Sequence, residues 1–276
     1  VRKILPPLIL SAVIVIVLRV LSLFSFEYSQ LVYSAVSIVL LLGGSFILKI
    51  FAEKKTRLIR FFKLRFAKQK DIPIVFWMTL TVISGSFMLN ILSLDLFSAM
   101  GLDIEGNMLA AYDTENMWFS LLTLAVIPAI FEELFFRGAT MSVLSKEKTA
   151  ATIFISATLF ALAHGSLYLI LSSFFAGIVF GITVYLTDSI YTSMLTHFLN
   201  NIMAYILFTY SNLLSDAGFD DMILFATVFI FLISVYGAIA VTAKRYKKEL
   251  NENKPIINEG ELIWERRKEK RSSKKS

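Results

Sequence analysis

The sequence contains no cysteine, only two histidines, and charged residues at just 17% of its 276 positions. The first absence excludes disulfides and thiolate metal sites. The second confines imidazole chemistry to His164 and His197. The third, beside 57% hydrophobic residues and a mean hydropathy of +0.71, excludes an ordinary soluble domain. Two patterns are also missing. There is no H-E-x-x-H pair for a helical zinc site, and no G-x-S-x-G elbow to activate a serine.

What is present is a series of apolar runs of about 20 residues, the length of a bilayer helix at about 1.5 Å rise per residue. They predict an all-α, polytopic membrane bundle of about eight transmembrane helices. The spans fall at roughly 4–26, 31–51, 72–94, 117–144, 149–165, 167–187, 189–210 and 222–243. The first run lacks a small-residue cleavage site and is expected to be a retained helix. Four regions result: an N-terminal three-span region over 1–116, a membrane core over 117–210, a last transmembrane helix within 211–243, and a basic tail over 244–276.

The net charge of +6 concentrates between Lys49 and Lys70 and from Lys244 onward. Basic runs of this kind mark the cytoplasmic side and anionic headgroups, so the expected partner is the lipid bilayer and not a nucleic acid. Basic connectors alternate with acidic ones carrying Asp95, Asp103, Glu105, Asp113 and Glu115, or Asp216, Asp220 and Asp221. This alternation predicts both termini inside. The 52–70 connector spaces Leu, Ile and Phe among its Lys and Arg and is expected to form an amphipathic surface helix. The end of the tail is expected to be disordered.

One stretch defies the membrane setting. IFEELFFRGA, residues 130–139, places Glu132, Glu133 and Arg137 at the end of an apolar run. A charge at membrane depth costs about 2.5–3.5 kcal/mol even on a mild scale. Glu133 and Arg137 are four apart, share a helix face and can pair. Glu132 is five from Arg137 and points elsewhere at 100° per residue. An interhelical lock explains the pair and leaves Glu132 unexplained.

Both histidines also lie in apolar spans, His164 in LFALAHGS and His197 in MLTHFLNN. His197 and Asn201 project from one face, and Phe160, a turn before His164, forms an apolar wall beside it. If these faces converge, Glu132 and His164 can hold and deprotonate a water molecule. His197 and Asn201 can then donate to the oxyanion of an attacked carbonyl. A glutamate and two histidines can alternatively ligate zinc through Glu132, His164 and His197.

Glu132-Glu133-x-x-x-Arg137, Phe160-x-x-x-His164 and His197-x-x-x-Asn201, in that order, resemble the three motifs of the CPBP family. These are the CAAX-protease and bacteriocin-processing (Abi) intramembrane proteases, related to type II CAAX prenyl endopeptidases. Gly177 and Gly181 resemble the family's small-residue packing stretch. The resemblance covers about residues 117–210.

It implies an eight-helix protease whose site lies within the membrane and opens to the cytoplasm. Glu132 and His164 would activate water, His197 and Asn201 would form the oxyanion site, and Glu133 and Arg137 would support the fold. The family is commonly classed with metalloproteases and has also been read as glutamate-dependent without metal; the metal-free route is the expectation here. The substrate would be a membrane-associated peptide or protein. Composition rich in Ile, Phe and Lys, in a chain opening at Val1, points to a bacterial inner membrane. Two other readings compete: a non-catalytic immunity or scaffold protein that keeps the polar cluster as a lock, and a proton-coupled transporter using Glu132 as a relay.

Overall fold

The structure, a computed structural model, describes residues 5–21, 29–51, 56–101, 116–145, 147–210 and 220–251. The acidic 102–115 connector, Asp216 and the tail beyond 251 lie outside the described residues, and with them the expectations made for those segments. The described residues are helical and contain no strand.

The helices are α1 Leu5–Leu21, α2 Ser29–Phe51, the single turn α3 Leu58–Phe61, and α4 Ile72–Ala99. α5 is the composite Met117–Leu144, followed by α6 Thr149–His164, α7 Ile170–Thr187, α8 Ile190–Thr209 and α9 Asp220–Asn251. Each predicted span coincides with one of these long helices. Among the described residues five helical segments are long and apolar enough to cross a membrane; α1 and α6 are shorter apolar helices.

Apolar side chains face both ways, as a lipid solvent allows. Phe135, Phe136, Phe160 and Phe180 are fully buried at the centre. Phe225, Phe229, Leu232, Tyr236 and Ile239 on α9 remain exposed. Where helices must approach closely, glycine permits it. A Cβ on Gly177 would lie 2.8 Å from the Ala157 Cα, so α7 meets the backbone of α6 there.

α5 is not a uniform helix. Leu122–Val126 and Leu134–Thr140 adopt the wider i→i+5 hydrogen-bonding pattern, on either side of Ile127–Glu133. Pro128 contributes, because it has no N–H to give the Leu124 carbonyl four residues back.

The 52–70 connector departs from the expected amphipathic helix. Its described part is one helical turn, an extended run, and a 3₁₀ turn at Gln69–Asp71. Tertiary contacts override the helical periodicity. Lys63 takes a positive φ of 53°, its carbonyl accepts from the Ile190 N–H at 3.1 Å, and the Arg65 carbonyl accepts from the Ser189 hydroxyl. Lys63 and Arg65 pair with Asp188 at 3.4 and 2.8 Å. The Ser142 hydroxyl reaches the Phe61 carbonyl, and Arg245 pairs with buried Asp71 at 2.8 Å. The connector, the C-terminus of α5, the α7–α8 turn and the basic end of α9 are thereby gathered at one end of the bundle.

Candidate active site

Measured from that end, Glu132 lies ten residues before Ser142 and His197 eight after Ser189, depths of about 15 and 12 Å at helical rise. They therefore sit at one level. His164, the last residue of α6, starts farther out, and its ring turns back along its own helix. The His164 Nδ1 donates to the Phe160 carbonyl at 2.9 Å. Phe160 spans the remaining depth, with its ring 4.5 Å from the His164 ring centroid and 5.6 Å from that of His197. On the other side of His197, Phe180 stacks at 4.7 Å.

Glu133 is fully buried and the most heavily bonded side chain of the cluster. Its Oε1 accepts from Arg137 at 2.8 Å and from the His197 Nδ1 at 3.1 Å, and its Oε2 accepts from the Ser193 hydroxyl. Arg137, also fully buried, donates its other terminal nitrogen to the Gly177 carbonyl at 3.2 Å. Its guanidinium lies 4.2 Å from the Phe160 ring centroid and 5.2 Å from that of Phe180. The charge pair thus props the aromatic residues that wall both histidines.

Glu132 differs in every respect. Its side chain is 23% exposed, its Oε2 is buried without a hydrogen-bond partner, and that oxygen lies 4.0 Å from the His197 Nε2. That distance is too long for a direct hydrogen bond. Among the described residues no hydrogen bond or ion pair joins Glu132 to His164. Asn201 faces away from the histidines in one of its bonds. Its Nδ2 donates at 3.0 Å to the Leu124 carbonyl that Pro128 leaves without its usual donor. The amide nitrogen carries a second hydrogen. Asn200 donates to the Asn201 Oδ1 at 3.3 Å.

Sequence reasoning missed Ser193, Phe180 and two residues of the first helices. The Arg19 guanidinium lies against Gly165, where a Cβ would meet its terminal nitrogen at 1.9 Å, immediately after His164. Gly165 has a φ of +76°, a left-handed cap that only glycine adopts without strain. Tyr33 of α2 lies within electrostatic reach of both Glu132 and Arg19. Of these, only Arg19 carries a sequence signal, as a charge inside an apolar run.

The residues present do not fit a zinc site as placed. Among the described residues no three His, Asp or Glu side chains come together closely enough to hold one ion. The His197 Nδ1 bonds to Glu133 and the His164 Nδ1 to the Phe160 carbonyl, which leaves each Nε2 open.

Residues 114–203 match the family model described as Type II CAAX prenyl endopeptidase Rce1-like. Through this segment the chain is similar to the CPBP/CAAX-protease family. No curated protein and no solved structure matches the chain. The matched segment opens just before α5 and ends two residues beyond Asn201. It therefore holds Glu132, Glu133, Arg137, Phe160, His164, Ser193, His197 and Asn201. Arg19, Tyr33 and Thr79, whose hydroxyl lies 3.1 Å from that of Thr196 beside His197, come from helices outside it.

Proposed function

We propose that the protein is an intramembrane endopeptidase that hydrolyses a peptide bond of a membrane-associated or lipidated substrate, using water activated by Glu132 and histidine. One observation carries the reading. Within the family-matched segment the cluster contains two adjacent carboxylates, and only Glu133 is neutralised and hydrogen-bonded; Glu132 keeps a buried oxygen without a partner, facing a histidine. A lock between helices needs Glu133 and Arg137 and has no use for Glu132.

The chemistry follows from where hydrogens sit. His164 gives its Nδ1 hydrogen to the Phe160 carbonyl, so in the neutral ring Nε2 is an acceptor for water. Glu132 takes a proton from that water as the oxygen attacks the substrate carbonyl. The second amide hydrogen of Asn201 serves the developing oxyanion. His197 can donate beside it only when both ring nitrogens carry hydrogen, because its Nδ1–H belongs to Glu133. Collapse of the tetrahedral species breaks the C–N bond, and the proton held by Glu132 passes to the leaving amine. No step requires a metal.

The reading includes eight membrane spans, both termini inside, and a site reached from the cytoplasm. The gathering of Lys63, Arg65 and Arg245 at one end supports that orientation. The experiment is cleavage of a fluorogenic lipidated CAAX peptide by purified protein in detergent, parent against Glu132→Gln. Cleavage lost in a folded variant supports the proposal; equal cleavage by both overturns it.

A further inference from the structure

We propose that Ser193 is a positioning residue that sets the tautomer of His197. The inference rests on the reading of this cluster as the active site, though not on any particular substrate. Ser193 lies on α8 one turn before His197, so both side chains project from one helix face. Both meet the same carboxylate, at different oxygens. Glu133 Oε2 takes the Ser193 hydroxyl hydrogen, and Oε1 takes Arg137 and the His197 Nδ1. Ser193, Glu133, Arg137 and His197 are all essentially sealed from solvent, so no outside water competes for these bonds.

Hydrogen bookkeeping then leaves one arrangement. A carboxylate bound by a guanidinium on one oxygen and a hydroxyl on the other is an acceptor throughout. The nitrogen facing it must carry the hydrogen, which fixes Nδ1–H on His197. Nε2 is left turned toward Glu132 at 4.0 Å, as a lone pair in the neutral ring or as a donor in the imidazolium. Arg137 alone would leave Glu133 able to rotate about its last bond. The Ser193 hydroxyl pins the second oxygen and so holds Oε1 on the imidazole. The serine acts through Glu133 and never meets the substrate.

The chain lends itself to a direct test, because it has only two histidines. Nitrogen-15 NMR of protein labelled at histidine shows two imidazoles, assigned by a His164→Asn variant. The proposal predicts that the parent His197 carries hydrogen at Nδ1. In Ser193→Ala the Nδ1 signal shifts toward a mixture of tautomers, and kcat on the cleavable peptide falls about tenfold with KM unchanged. Ser193→Thr restores both. A parent His197 protonated at Nε2 alone overturns the proposal without any variant or activity. A Ser193→Ala protein with the parent's spectrum and kcat overturns it equally. The spectrum needs no substrate, so its failure is distinct from failure of the peptidase reading.

Discussion

The His197 Nδ1 sits 3.1 Å from Oε1 of Glu133, not Glu132, although the two glutamates are adjacent. The two carboxylates thereby divide the work. Glu133 holds the histidine from behind, while Glu132 faces its other nitrogen across 4.0 Å.

Removing one member of the buried Glu133–Arg137 pair is expected to be a folding defect first. Arg137→Met leaves a buried carboxylate without its counter-charge, a loss of about 3–5 kcal/mol. Thermal unfolding in detergent measures it. Glu132→Gln, which disturbs no pair, should unfold close to the parent temperature, and an equal loss in both variants would contradict the division of roles.

Asn201→Ala should carry two separable defects. It strands the Leu124 carbonyl, at about 1–3 kcal/mol, and removes an oxyanion donor, at about 10²–10³ in kcat. Adding Pro128→Ala returns an N–H within reach of that carbonyl. The double variant is expected to regain stability and not activity, as read by melting and by peptide cleavage side by side.

How much of this was legible in the sequence depends on whether a contact is local. Glu133 and Arg137 share a helix face by spacing alone, and they pair at 2.8 Å. The same spacing set Glu132 apart. Contacts across helices were not legible. Ser193 is one serine among many, and only the packing of α8 on α5 brings it to Glu133. The Asn201–Leu124 bond depends on a carbonyl that only Pro128 makes available. All eight apolar runs stand as helices, but the 52–70 pattern misled. Its periodicity is real, yet its backbone groups bond to the α7–α8 turn and hold Lys63 at positive φ.

Gly177→Ala should be costly out of proportion to one methyl group. The added Cβ would lie 2.8 Å from the Ala157 Cα, forcing α6 and α7 apart and drawing the Gly177 carbonyl off Arg137. Overpacking of this kind costs about 1–3 kcal/mol. The melting temperature should fall, with a smaller change for Gly181→Ala, whose Cβ would meet only the Ile153 side chain at 3.0 Å.

Asp188→Asn tests the basic connector. Asparagine keeps the left-handed conformation at φ 52° and removes the charge that Lys63 and Arg65 engage. These pairs are partly exposed, so the loss should stay below about 1 kcal/mol. Asp188→Val adds backbone strain at the same φ and should melt lower.

The measurement that bears most directly on the central claim is peptide cleavage by parent and Glu132→Gln, each with and without a strong chelator, at matched folding. Metal-free activation of water by Glu132 predicts cleavage by the parent that the chelator leaves unchanged, and a fall of about 10²–10⁴ in the variant. Cleavage abolished by the chelator and restored by zinc, or a Glu132→Gln protein as active as the parent, would contradict it.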